Sequence, residues 1–176
     1  GELDFSQSKQ LFNSKTKIVS ITHISNVLGT INPMKKIGKL THECGAVFIV
    51  DGAQGIAHKK INIKDIDCDF YAFSGHKMLG PTGIGVLWGK FELLNKMDPF
   101  MGGGEMIDKV TMTSATWNEV PYKFEAGTPN FIQAVGLGAA VDYLESIGME
   151  EITNHEKQLT NYSLSELQKI DNIKIH

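Results

Sequence analysis

Short apolar runs alternate with polar, glycine-rich stretches along the chain. Ile18-Val19-Ser20-Ile21-Thr22 is rich in β-branched residues and predicts a buried strand. Ala46-Val47-Phe48-Ile49-Val50 is apolar throughout, as in a parallel strand covered on both faces. Residues 69–73 and 84–88 predict two further strands. Met34, Ile37 and Leu40 recur at helical spacing and predict a helix over 33–43, with Asn32 as N-cap, Pro33 in the first position and Gly45 ending it. Strand, helix and strand in this order imply a right-handed crossover and a parallel sheet.

Other segments are read in the same way. Helices are expected over 4–12, capped by Asp4 or Ser6, over 91–97 and over 131–146, the last with small residues for close packing. Gly148 breaks the pattern, and 150–170 predicts a polar amphipathic helix with Ile152, Leu159, Leu164 and Leu167 turned inward. Residues 173–175 resemble the start of a strand. Residues 61–67 read as a connector. Residues 99–121 show little periodicity and predict a long functional or interface loop. The polar loop at 23–30 reads as a turn held by Asn26 and Gly29, at a strand end where open α/β sheets take ligands.

Composition narrows the classes. The 176 residues, 41% hydrophobic and 21% charged, suit one sizeable core of a soluble protein. A net charge of -3 gives no electrostatic case for nucleic acid or an anionic membrane. No apolar run approaches the roughly 20 residues of a membrane span, and no signal peptide is expected at Gly1. Cys44 and Cys68 lie outside metal-ligand spacing and read as free core thiols of a reducing cytoplasm. No pair among the six histidines has zinc spacing, and those at 23, 42, 58, 155 and 176 read as ordinary polar or core residues. All 17 basic residues are lysine, so a bidentate arginine clamp on a carboxylate has to come from outside this sequence.

The strongest chemical signal is Phe73-Ser74-Gly75-His76-Lys77 at the end of an apolar strand, followed by Gly80, Pro81 and Gly83. For a lone lysine, an exposed loop position is the simpler reading. A desolvated lysine on a rigid turn has instead a lowered pKa and can form a Schiff base. Asp51 ends the neighbouring strand, with Gln54 one turn on. It either caps its own turn or waits as a buried carboxylate for a cationic ligand. Lysine, aspartate and glycine-rich polar loops at one end of a parallel sheet suit pyridoxal 5'-phosphate. The Gly102-Gly103-Gly104 run lacks the following GK[ST] of a P-loop.

Four motifs carry a family resemblance. They are Thr22-His23-Ile24-Ser25-Asn26-Val27-Leu28-Gly29, Val50-Asp51-Gly52-Ala53-Gln54, Phe73 through Gly83, and Phe124-Glu125-Ala126-Gly127-Thr128-Pro129-Asn130. In this order the chain resembles class V aminotransferase-fold enzymes, and within them the SufS-like cysteine desulfurases. The resemblance implies an α/β fold: part of the mainly parallel, three-layer large domain of a fold type I transferase over 1–147, and the first helix of a small C-terminal domain over 148–176. It implies Lys77 as the Schiff-base lysine and proton carrier, Asp51 as partner of the pyridine nitrogen and Gln54 as donor to the ring oxygen. Ser74 and His76 would bind the phosphate, Asn26 would lie near the ring oxygen and substrate, and Thr128 would reach the phosphate of the other subunit of a homodimer. The implied reaction converts L-cysteine to L-alanine and passes sulfur, as an enzyme persulfide, to an acceptor protein for iron–sulfur cluster assembly.

The resemblance also marks what is missing. In the family, the nucleophilic cysteine and the substrate-carboxylate arginine lie downstream of the matched motifs, and the ring-stacking histidine lies upstream. The chain therefore reads as an internal piece that would be inactive alone. Selenocysteine lyase and other class V enzymes stay open as alternatives, as does a non-catalytic α/β module binding a partner through 99–121.

Overall fold

The computed structural model describes residues 1–175; His176 lies outside them. A four-stranded sheet organises the chain in the order β1 (Ile18–Thr22), β2 (Val47–Asp51), β3 (Phe70–Ser74), β4 (Gly85–Gly89). The first three strands are parallel, with Thr22 beside Asp51 and Asp51 beside Ala72. β4 runs antiparallel to β3 and closes the order. This is the mainly parallel α/β arrangement that the apolar runs predict.

Helices α1 (Ser8–Leu11) and α2 (Met34–Glu43) precede β2. Asp4 does not cap α1; its carboxylate accepts from the Ser6 backbone and hydroxyl in a turn before it. α2 buries Met34, Ile37, Gly38 and Thr41. Its end is a Schellman motif: Gly45, at φ 73°, donates to the His42 carbonyl, and Ala46 donates to that of Thr41. Asn32 is not the N-cap. Its amide donates 2.7 Å to the Thr22 carbonyl, an acceptor left over at the end of β1, and Pro33 takes the cap position.

Short helices α3 (Gly55–His58) and α4 (Ile63–Ile66) lie between β2 and β3. The main core joins Met34, Ile37, Phe48, Val50, Ile66, Cys68 and Tyr71. Phe48 and Val50 are fully buried, whereas Val47 and Ile49 on the opposite face are only half-buried. The α2–α4 layer thus covers one face of β2 completely, and the second face only in part. At the far end of the sheet, buried Asp69 accepts from the Phe48 N–H at 2.7 Å and pairs with Lys90 at 2.8 Å and His42 at 3.2 Å.

After β4 come α5 (Phe91–Lys96), β5 (Ile107–Val110) and β6 (Ala115–Trp117). The last two pair antiparallel, so 99–121 is not one long loop. The alternation that would have revealed these strands is weak because Val110 and Trp117 face solvent. Helix α6 (Phe131–Ile147) packs Leu137 and Leu144 against Ala57 and Met78 in a second core cluster. Gly148, at φ 92°, turns the chain into α7 (Met149–Leu167). No residue of α7 is buried: Ile152 reaches the second cluster, but Leu159, Leu164 and Leu167 are exposed rather than inward. Residues 173–175 form no strand. Among the described residues no helix is long and apolar enough to cross a membrane, and no cluster of His, Cys, Asp or Glu suits a metal.

Candidate active site

The parallel strands end side by side, and backbone hydrogen bonds hold the ends together. His23 N–H donates to the Asp51 carbonyl at 2.8 Å, and Gly52 N–H donates to that of Ala72 at 2.7 Å. Each of these candidate side chains stands at or just past this line. Asn26 follows β1, Asp51 ends β2 with Gln54 just after it, and Ser74 ends β3 with His76 and Lys77 just after it.

Three glycines permit this crowding. A Cβ on Gly52 would stand 1.9 Å from the Tyr71 ring, and one on Gly55 would meet both His23 Nδ1 and the Tyr71 hydroxyl at 2.8 Å. The Asp51–Gln54 turn therefore rests directly on a buried His23–Tyr71 pair, hydrogen-bonded at 3.2 Å with rings edge to face. Burial pushes the His23 pKa down, helped by Lys59, and pushes that of Tyr71 up. Both rings thus stay neutral beneath the turn. Gly80 is the third: a Cβ there would press on the Gly75 carbonyl and on Leu137 at 2.9 Å.

Lys77 lies in a single 3-10 turn, Gly75–Met78. Gly75 and Met78 face the core, so His76 and Lys77 point outward and are exposed. The expected desolvation of Lys77 is not found in this chain; the inward face of so short a turn has room for two residues only. Asp51 is likewise exposed instead of buried, its Oδ1 accepting from the Ala53 N–H at 2.9 Å in a turn-capping contact. Leu79, directly after the Lys77 turn, takes a left-handed backbone at φ 67°, a strained state for a non-glycine residue that costs about 1 kcal/mol.

Asn26 and Gln54 line one cavity of about 600 Å³, together with Lys157 and Thr160 of α7. The turn around Asn26 is held by the Ser25 hydroxyl, which accepts from Val27 and Leu28, and not by Asn26 itself. Lys77 lines a smaller cavity of about 240 Å³. Ser74, His76 and Asp51 line neither, and Thr128 is exposed on the loop before α6. The loop of Thr128 is nevertheless tied to the strand-linking turn, since Asn130 donates to the Gly83 carbonyl at 2.7 Å. His58 and Glu156, which no spacing rule singles out, border both cavities. Their separation of 98 positions leaves no local sequence signal.

The family description Aminotransferase class-V matches residues 1–176. The chain belongs to the class V aminotransferase family. A probable cysteine desulfurase of Halalkalibacterium halodurans is 51% identical to this class V chain over all of its length and 43% of the relative's. The solved cysteine desulfurase CsdA of Escherichia coli superposes with a TM-score of 0.91 at 38% identity, covering 95% of this chain and 42% of the other. C-DES, solved with glycine covalently linked to its PLP cofactor, superposes with a TM-score of 0.83 at 25% identity, over 97% of this chain and 46% of C-DES. This class V chain thus spans about two fifths of the curated relatives it matches.

Proposed function

We propose that this chain forms the lysine-bearing half of the pyridoxal 5'-phosphate site of a cysteine desulfurase. The observation that carries the proposal is that the six side chains Asn26, Asp51, Gln54, Ser74, His76 and Lys77 leave three adjoining strand ends with their donors and acceptors nearly all free. Among the described residues, only Asp51 Oδ1 is engaged. That set fits the cofactor: an amine for its aldehyde, a carboxylate for its ring nitrogen, and amide, hydroxyl and imidazole donors for its oxygens.

The bound cofactor supplies an electron-accepting ring that weakens bonds at the amino-acid Cα. Lys77 Nζ would hold it covalently, then, once released, move a proton to and from the substrate Cα. The Asp51 carboxylate would accept the ring N–H and keep that proton in place. Gln54 would donate to the ring oxygen, with Asn26 near the same oxygen and the substrate. Ser74 Oγ and His76 would donate to the phosphate, as would Thr128 from the other subunit of a homodimer. The substrate would be L-cysteine, and sulfur would leave on an acceptor protein for iron–sulfur assembly. The free thiols Cys44 and Cys68 support a cytoplasmic setting. A division into a cofactor domain over 1–147 and the start of a small domain over 148–176 is supported by the left-handed Gly148 and by the unburied α7.

The test is borohydride reduction of the full-length protein after incubation with the cofactor, then peptide mapping. A pyridoxyl group on Lys77 is expected; an adduct only at other lysines refutes the site. With a thiol reductant present to release the enzyme persulfide as sulfide, alanine and sulfide formed from cysteine by the full-length enzyme, with none from residues 1–176 alone, is the expected activity result. Sulfide release by the isolated chain would overturn the division of labour. A cystine C–S lyase activity is the second reading, since C-DES is also solved with cysteine persulfide at a TM-score of 0.84. Turnover of cystine in preference to cysteine would favour it.

A further inference from the structure

Only a few contacts hold α7 against the cofactor side of the molecule, and two of the strongest converge on His58. Its Nδ1 lies 2.7 Å from Glu156 Oε1. A carboxylate only accepts, so this nitrogen carries the proton. The Thr153 hydroxyl lies 2.7 Å from the His58 carbonyl and 2.8 Å from that of Met149, its single hydrogen shared between them. The remaining ion pair of this helix to α3's flank, Lys60 to Glu150 at 4.0 Å, is long and solvated.

His58 is also where the two cavities meet. Together with Glu156 it separates the cavity of Asn26 and Gln54 from that of Lys77. Ala57, its neighbour in α3, packs in one cluster with Met78, the neighbour of Lys77, and with Ile152 of α7. Gln54 is the N-cap position of the same four-residue helix. α7 is therefore joined along α3 to Gln54 and, through the Ala57–Met78 contact, to the Lys77 turn.

We propose that His58 and Glu156 are positioning residues: their clasp to α7 fixes the Gln54 and Lys77 turns relative to one another, and thereby the pose of the cofactor. The second half of this statement rests on the assignment of Lys77 as the cofactor lysine. Neither is one of the cofactor ligands named above.

The experiment uses the full-length protein with Glu156→Ala, Glu156→Gln and Thr153→Val. The first readout is amide hydrogen exchange of the cofactor-free protein over 54–58 and 75–79. Glu156→Ala should speed exchange in both segments by roughly threefold, the scale of a half-exposed ion pair, with Thr153→Val acting in the same direction. Glu156→Gln, which keeps an acceptor for the Nδ1–H, should restore most of the protection. The second readout is visible circular dichroism of the bound cofactor, whose band should change shape in Glu156→Ala and recover in Glu156→Gln. Faster exchange confined to α7, with 54–58 and 75–79 unchanged, would overturn the clasp and leave a plain surface staple. Because the exchange is read without cofactor, it decides the clasp independently. A wild-type protein that takes no adduct on Lys77 would overturn the cofactor assignment instead.

Discussion

Replacing Gly52 by alanine tests how the aspartate turn is supported. The added methyl would stand 1.9 Å from Tyr71 Cε1, 2.1 Å from Cζ and 2.5 Å from the hydroxyl. Ordinary contact distance is about 3.5–4 Å, so something has to move by more than an ångström. Gly52 is free of positive φ, so the penalty is steric and not conformational. The Tyr71 ring cannot swing away, being 1% exposed and packed between the core and His23. The backbone can retreat only by giving up the 2.7 Å bond from Gly52 N–H to Ala72. Overpacking at about 1–3 kcal/mol and a lost ladder bond at about 1 kcal/mol give an expected loss of about 2–4 kcal/mol. Urea unfolding of the full-length protein measures it, with cofactor affinity as a second readout because Asp51 and Gln54, on either side of Gly52, belong to the proposed site. Tyr71→Leu in the Gly52→Ala background should recover part of the lost affinity by opening space. An unchanged midpoint with unchanged affinity would refute the close packing described for this turn.

The remaining predictions concern other parts of the fold. Asp69→Asn should cost about 2 kcal/mol, because it breaks a buried cluster whose partners Lys90 and His42 are partly solvated. Burial raises the Asp69 pKa, but hydrogen bonds from Lys90, Phe48 and His42 outweigh it and hold the group below its ordinary 3.8. Its stabilising contribution is therefore complete above about pH 4 and lost as pH falls through the lowered folded value. Lys90, pushed down by burial but raised overall above 10.5 by Asp69 and Asp67, loses its share only as pH rises past that value. An acid-unfolding curve that Asp69→Asn leaves unchanged would contradict the first statement, and an alkaline-unfolding curve that it leaves unchanged would contradict the second. Gly138→Ala, exposed inside α6 with nothing within 4 Å of the new methyl, should raise stability by about 0.5–1 kcal/mol; a lower unfolding midpoint would count against it. Near neutral pH, iodoacetamide should label the partly exposed Cys44 and spare Cys68, whose buried thiol is pushed up to about 11; equal labelling rates would contradict this.

The four strands of the main sheet and the long helices were legible, unlike β5 and β6, because each is written in local pattern: the β-branched run of β1, the unbroken apolar run of β2, and the Met34–Ile37 spacing of α2. The strand-end placement of the candidate residues was legible too, since Asp51, Gln54, Ser74, His76 and Lys77 all stand one or a few residues beyond such runs. What stayed hidden depends on which neighbour occupies a space. Nothing near Lys77 in sequence says that Gly75 and Met78 take the inward half of its turn. The leucines of α7 have helical spacing but meet no second surface, so periodicity overstated their burial. Asn32 has the chemistry of a cap, yet a spare carbonyl at Thr22 claims its amide.

The antiparallel return of β4 has a kinetic consequence. Within the main sheet, β1–β2 and β2–β3 can pair only after closing crossovers that hold a helix or more of chain, whereas β3 and β4 are joined by the short segment between Ser74 and Gly85. Closing the shorter loop costs less entropy, so the β3–β4 ribbon is the first piece of this sheet to form. The segment it closes holds Lys77. The lysine turn is thus assembled from local sequence before the aspartate strand arrives beside it, and substitutions in β4 should slow folding more than equally destabilising ones in β1. Equal slowing by the two sets would argue that the sheet condenses all at once.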